Sequence, residues 1–151
     1  MVQNNKYANA NQNAYEQNIS PLSEVGSDIR VALLDDGYTP DLDVHANWTD
    51  VSDHEIPDTT DGYSSPGQLL DNKTFSRSGD TVTFDADNTV WEDSTITAYY
   101  AVVYDDTAAD DVDKKLICLV DFEGEESSED GDFTIDWDDT DGIFTITANP
   151  E

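Results

Sequence analysis

The chain has 151 residues, enough for one domain with a real core, and sets 35 acidic against 6 basic side chains for a formal charge of −29. That balance argues against nucleic acid and anionic membrane as partners, because both are polyanions. Charge this dense opposes compaction in dilute buffer, but in molar salt the screening length shrinks to about 3 Å, so the composition is that of a protein working in brine.

Residues 1–27, MVQNNKYANANQNAYEQNISPLSEVGS, hold six Asn and are nearly spared of charge, with one Lys against two Glu. Residues 28–151 carry 33 acids against 5 bases. A polar, low-complexity end is mobile by default. Yet where exposed surface must be acidic, a stretch spared acid has a reason not to face solvent. The sequence therefore divides into an extended Asn/Gln-rich arm, 1–27, and an acidic β domain, 28–151. The arm is expected to order on a neighbouring subunit or partner through its apolar handholds Tyr7, Tyr15, Ile19 and Leu22.

From residue 28 the pattern is β. Ile29 to Leu34 reads as a first strand, stopped by the turn signal Asp35-Asp36-Gly37. Thr39-Pro40-Asp41 resembles a helix start, and Asn47 is placed to cap a short turn through Val51, so one or two helical turns near 40–51 are expected, with Trp48 beneath them. Gly79 to Phe84 alternates, with Val82 and Phe84 inward. In TITAYYAVVY, 95–104, strict alternation puts Ile96, Ala98, Tyr100, Val102 and Tyr104 on one face and Tyr99, Ala101 and Val103 on the other. LICLVDF, 116–122, sets Leu116, Cys118, Val120 and Phe122 against Ile117 and Leu119. Strands apolar on both faces are usually covered on both, here by an arm, a loop or another subunit.

EGEESSED, 123–130, reads as a solvated loop. Phe133, Ile135 and Trp137 then point one way, and Asp138 to Gly142 is expected to close a hairpin with Ile143 to Thr147 returning. Acids fill loops and one outer face, so the inner stripe is free to collapse. A mean hydropathy of −0.62 at this charge is also the composition of a disordered chain. Fifteen aromatic residues and the patterned strands weigh against that reading. Seven or eight short strands with frequent turns predict an all-β fold, an antiparallel β-sandwich of jelly-roll or Ig-like kind.

Chemistry is sparse. His45 and His54 stand among Asp41, Asp43, Asp50, Asp53 and Glu55, but acids surround every position in this chain, and His45 reads first as a packing or hydrogen-bonding residue. No HExxH spacing, phosphate loop or nucleophile–His pairing is legible, and no enzyme is expected. DADN (85–88), DDTAADDVD (105–113) and DWDDTDG (136–142) are oxygen-rich, yet the last misplaces its Gly and ends on Thr147 where an EF-hand needs Glu. Catalytic, cofactor and specific metal residues are thus none, with weak cation binding by acidic loops left open. Cys118 lies in the apolar run LICLV as a buried small hydrophobe, and one cysteine forms no internal disulfide. Sequons at Asn18, Asn47 and Asn72 leave glycosylation undecided. No basic region precedes an apolar stretch at the start, so no export signal is expected, and apolar runs fall short of a membrane span.

GYTPDLDVHANWTDVSDHEI (37–56), LLDNKT (69–74), FDADNTVW (84–91), TITAYYAVVYDD (95–106), LICLVDF (116–122) and GDFTIDW (131–137) resemble small virion proteins of tailed viruses, from phages and haloarchaeal viruses. The shared features are Tyr-Thr-Pro, an Asp-x-His step, Phe-Asp-Ala-Asp ahead of a Trp, and Tyr-Ala-Val-x-Tyr. Where such proteins often carry Gly-Gly near the Gly62-Tyr63 turn, this chain has Pro66-Gly67 within SSPGQ (64–68). The resemblance implies a noncatalytic structural protein of a halophilic tailed virus, a homo-oligomeric capsid-surface decoration or turret subunit bound to the major capsid protein or to neighbouring subunits. A tail or head–tail component is the alternative, as is a host-surface adhesin presenting exposed aromatics such as Trp91.

Overall fold

The computed structural model describes residues 3–147. The outer ends of the two expected units, residues 1–2 and 148–151, lie outside that range. The fold is all-β and antiparallel, with ten strands and one short helix among the described residues. A five-stranded sheet has the order β1-β8-β7-β2-β3, made of Gln3–Lys6, Leu116–Ser127, Thr97–Asp105, Ile29–Leu34 and Gln68–Leu69. Against it pack a three-stranded sheet, β10-β5-β4 (Phe144–Thr147, Thr81–Asp85, Thr74–Ser78), and a ribbon of β6 and β9 (Thr89–Ser94, Gly131–Ile135). This is a sandwich-like arrangement, as the short alternating strands predict.

The main core lies between these layers. Val31, Leu33, Ala101, Val103 and Val120 from the large sheet meet Phe84, Trp91, Phe133, Ile135 and Ile143. Burying side chains of this size stabilises by roughly 1.5–3 kcal/mol each. The other face of the large sheet is apolar too. Ala32, Leu34, Val102, Tyr104 and Leu119 are covered there by Tyr7 and Ala10 from the N-terminal segment and by Tyr38, Trp48 and Val51 from the long connection after β2. Trp48 stacks on Tyr104 with centroids 4.4 Å apart.

The arm is therefore not extended. It is an edge strand, β1, paired with β8 from Gln3↔Asp121 to Lys6↔Cys118, followed by helix α1 (Ala8–Tyr15) and turns. The physical reason is the two-sided apolar sheet: its second face needs a cover, and the segment spared of acid supplies one within the same chain.

Four further expectations are corrected. Thr39-Pro40 starts no helix. Residues 42–44 form a turn in which His45 N donates to Asp41 O, and the helical turns are two 3₁₀ turns, Trp48–Asp50 and Ser52–His54. The Asp50 carboxylate accepts from Ala46 N and Asn47 N at 2.8 and 2.9 Å and holds the first of them.

Strict alternation fails in β7 and β8. Register shifts between Ala98 and Tyr100, and again between Val103 and Tyr104, break the ladder, with extra residues on β8 at both places. Ile96 and Ala98 thereby join Ala101 and Val103 in the main core, and Leu116 turns to the face opposite Cys118. The acidic stretch after Phe122 is not wholly loop, since β8 continues to Ser127 with exposed side chains.

Lastly, Asp138 to Gly142 closes a turn but no hairpin. Asp138 Oδ1 accepts from Thr140 N and Asp141 N, and the chain then leaves for another sheet: Ile143 N donates to Phe84 O at 2.7 Å. β9 pairs with β6, where Trp91 opposes Phe133 edge-on, and β10 pairs with β5. Gly142 fits this corner because a Cβ there would lie 2.5 Å from Phe84 O. Gly67, after a cis Ser65–Pro66 bond, is equally constrained: at φ +98 its absent Cβ would fall 2.1 Å from Val31 O.

Candidate docking surface

The polar side chains that suggest chemistry in the sequence are used internally. Tyr7 Oη, Tyr38 Oη and His45 Nδ1 form a chain at 3.0 and 2.8 Å, which ties the N-terminal segment to the connection after β2. Burial pushes both tyrosine hydroxyls above their ordinary range. His54 Nδ1 sits 3.4 Å from Asp35 Oδ1, and the two histidines share no ligand set. Among the described residues no group of three His, Cys, Asp or Glu side chains is placed to hold a metal ion. Cys118 is fully buried, and burial pushes its thiol up to about 12. The acid-rich runs do structural work: Asp105 Oδ2 accepts from Ser20 N, and Asp106 bridges Arg30 and Lys114. Glu55 accepts from Tyr63 Oη and Ser65 Oγ at 2.7 and 2.8 Å, and burial raises its carboxyl above the ordinary value.

All six basic side chains are engaged. Arg30 and Lys114 hold Asp106, Lys73 donates to Ser27 O, Lys115 to Asn47 Oδ1, and Arg77 to Gly79 O, while Lys6 lies 5.4 Å over the Phe144 ring. Only Arg77 among them is exposed, and Asp105 is the one buried acid among the described residues. The exposed charge is therefore almost entirely carboxylate.

One place departs from this. A cleft of about 310 Å³ runs between the N-terminal segment and the three-stranded sheet. Ala10, Ala14, Ile19, Pro21 and Leu22 form one wall, and Phe75, Ile117, Phe144 and Ile146 form the other. At the chain's overall acid frequency about three of its thirteen lining residues would be Asp or Glu, and none is. The one charged residue in its lining is cationic, Lys6.

The register explains the apolar wall. Phe144, Phe84 and Phe75 stand opposite one another across β10, β5 and β4, so all three side chains leave the same face. Ile146, Val82 and Arg77 form the next row. Phe84 is buried beneath the cleft, whereas Phe75 and Ile146 overhang its mouth, 44% and 41% exposed.

The four arm residues expected to bind a partner are thus divided. Ile19 and Leu22 line the cleft, Tyr15 is 93% exposed on α1, and Tyr7 is fully buried within its own chain and can touch no partner. Phe75 and Ile146 escaped sequence reasoning because β4 reads as polar and β10 as half of a hairpin. The signal that could have found them is local charge: NKTFSRSG, 72–79, contains no acid and two cations.

Trp91, named for an adhesive patch, is buried in the core, 2% exposed. A second depression, about 690 Å³, is lined by Glu126, Asp132, Asp136, Asp138 and Asp139 and is the cleft's electrostatic opposite.

No protein-family model, curated protein or solved structure matches the chain. No helix among the described residues is long and apolar enough to cross a membrane.

Proposed function

We propose that the chain is a noncatalytic structural subunit of a tailed-virus particle from a high-salt setting, a capsid-surface decoration or turret protein that docks through the acid-free cleft. The observation that carries this reading is the cleft itself: an apolar, slightly cationic seam on a body whose exposed charge is otherwise almost all carboxylate. Burial of apolar surface gains strength from salting-out ions, so a contact built this way suits brine, where ion pairs are screened. The motif resemblance to virion proteins supplies the particle, and the surface chemistry supplies the mode of attachment to the major capsid protein or a neighbouring subunit. The adhesin reading loses its aromatic patch with Trp91 buried.

Removing residues 1–27 is not a clean test, because it strips β1, Tyr7 and Ala10 from the sheet they cover. Ile146→Asp is cleaner. It places one carboxylate at the cleft mouth on a half-exposed position, where the stability change should stay within about 1 kcal/mol. Particles assembled with this variant should lose most of the subunit while its circular dichroism in molar salt is unchanged. Full occupancy would refute docking through the cleft.

A further inference from the structure

β4 is an edge strand with all five residues exposed, and among the described residues its outer side has no strand partner. The opposite edge of the same sheet is occupied: β10 lies against β1, with Asn4 Nδ2 donating to Ile143 O at 3.0 Å. An open edge is a template for another chain, and in most proteins it is blunted. Here the flanking sequence 72–79 lacks a single acid, in a molecule where two copies repel almost everywhere else.

We propose that β4 pairs antiparallel with β4 of a second copy, across a two-fold axis through Ser76.

Symmetry and charge fix the register. A two-fold axis perpendicular to the sheet keeps each side chain on its own face, so only residues of the same parity can oppose each other. Three registers overlap the strand well. Centring on Phe75 sets Arg77 against Lys73 of the copy, and centring on Arg77 sets the two guanidinium groups against each other. Both oppose like charges, which destabilises a cross-strand pair. Centring on Ser76 sets Arg77 against Phe75 of the copy, twice, in the geometry of a cation over or beside an aromatic ring.

The backbone agrees with that choice. β4 and β5 are joined by the two residues Gly79 and Asp80, so the closing pair Ser78–Thr81 is of the hydrogen-bonded kind. Phe75 and Arg77 then turn their N–H and C=O groups outward. In the Ser76-centred register these four groups per strand meet their counterparts, and the sheet becomes a continuous six-stranded one, β10-β5-β4-β4-β5-β10. The aromatic row Phe144, Phe84, Phe75 runs on into Arg77, Val82 and Ile146 of the copy. The pairing uses the strand edge and stands or falls apart from the capsid-docking reading.

The test is a pair of cysteine variants in molar salt, with Cys118 fully buried and so silent. In the proposed register the two copies of residue 76 face each other as a non-hydrogen-bonded pair, with Cα atoms about 4.5 Å apart. The two copies of residue 78 lie roughly 13 Å apart. Ser76→Cys should crosslink under mild oxidation at least ten-fold faster than Ser78→Cys, read as dimer on a non-reducing gel. The parent protein should sediment with the mass of a dimer. Arg77→Glu, which leaves the backbone edge intact, should raise the dissociation constant about ten-fold or more with unchanged circular dichroism. Equal crosslinking of the two cysteine variants, or a monomer mass for the parent at every concentration, overturns the proposal. Ile146→Asp provides the separation: it should abolish particle occupancy and leave the dimer intact.

Discussion

The two depressions on this molecule are built on the same scaffold and differ most sharply in charge. The cleft between the N-terminal segment and the three-stranded sheet has no acid in its lining, whereas the depression along β9 has five. Both rest on aromatic residues, Phe75 and Phe144 in one and Phe122, Phe133 and Trp137 in the other. Aromatic lining therefore does not separate them. Charge does, and it follows from where the chain places acid-free runs: residues 17–23, 72–79 and 143–147 converge on one seam from three distant parts of the sequence.

The strongest way to break that comparison is to remove salt. At about 0.1 M the screening length grows to about 10 Å, long enough for neighbouring carboxylates to repel across loops. The protein should unfold, with loss of β-sheet circular dichroism and a red shift of fluorescence from the buried Trp48, Trp91 and Trp137. Hydrogen exchange at intermediate salt should show β6 and β9 losing protection before β4, β5 and β10. Simultaneous loss would mean that the acid-lined side is no weaker than the cleft side.

Next in size is Phe84→Ala, which removes the buried centre of the aromatic row and should cost about 3–5 kcal/mol in urea unfolding measured in molar salt. The cleft should lose its wall, because Phe75 and Phe144 both pack on that ring.

A smaller effect of opposite sign is expected from Glu126→Gln combined with Asp139→Asn on the acid-lined side. Both positions are exposed, and their neutralisation should lower the salt concentration at which the fold is half lost. An unchanged midpoint would show that the charge there is too well hydrated to matter.

The smallest effect concerns pH. Glu55 has a raised carboxyl because burial disfavours its charge, so the folded state binds its proton more tightly than the unfolded state. Its contribution is full below the ordinary carboxyl value and is lost as pH rises through the raised folded one. Glu55→Gln keeps an acceptor for Tyr63 and should flatten this decline in the stability–pH curve. A parent-like slope would place its origin elsewhere.

Sequence pattern reached the class of fold, the two-faced character of β7 and β8, the burial of Trp48 and Cys118, and the oddness of the first 27 residues. It did not reach where that segment lies. An acid-poor stretch with four apolar handholds is equally suited to a neighbour's surface and to its own sheet, and only the tertiary arrangement, with Tyr7 enclosed beside Tyr38, decides between them. Strand phase failed at Tyr99 and Ile117 because a bulge leaves no mark in an apolar run. The Asp138–Gly142 turn was legible but its sequel was not, since turn chemistry fixes a reversal and not the sheet that receives the next strand. The cleft was invisible for a related reason: its lining comes from positions up to 140 residues apart, and each contributing run is unremarkable alone.

The inward engagement of the basic side chains has a consequence for how the molecule meets others. In the high-salt setting proposed above, adhesion to another polyanion depends on ammonium or guanidinium groups that can reach across. Among the described residues this exterior offers one exposed basic side chain, Arg77, so chance ion pairing finds little to hold. The acid-free seam and the bare strand beside it are then contacts that like charge does not oppose, so a neighbour of the same sign would be met there first.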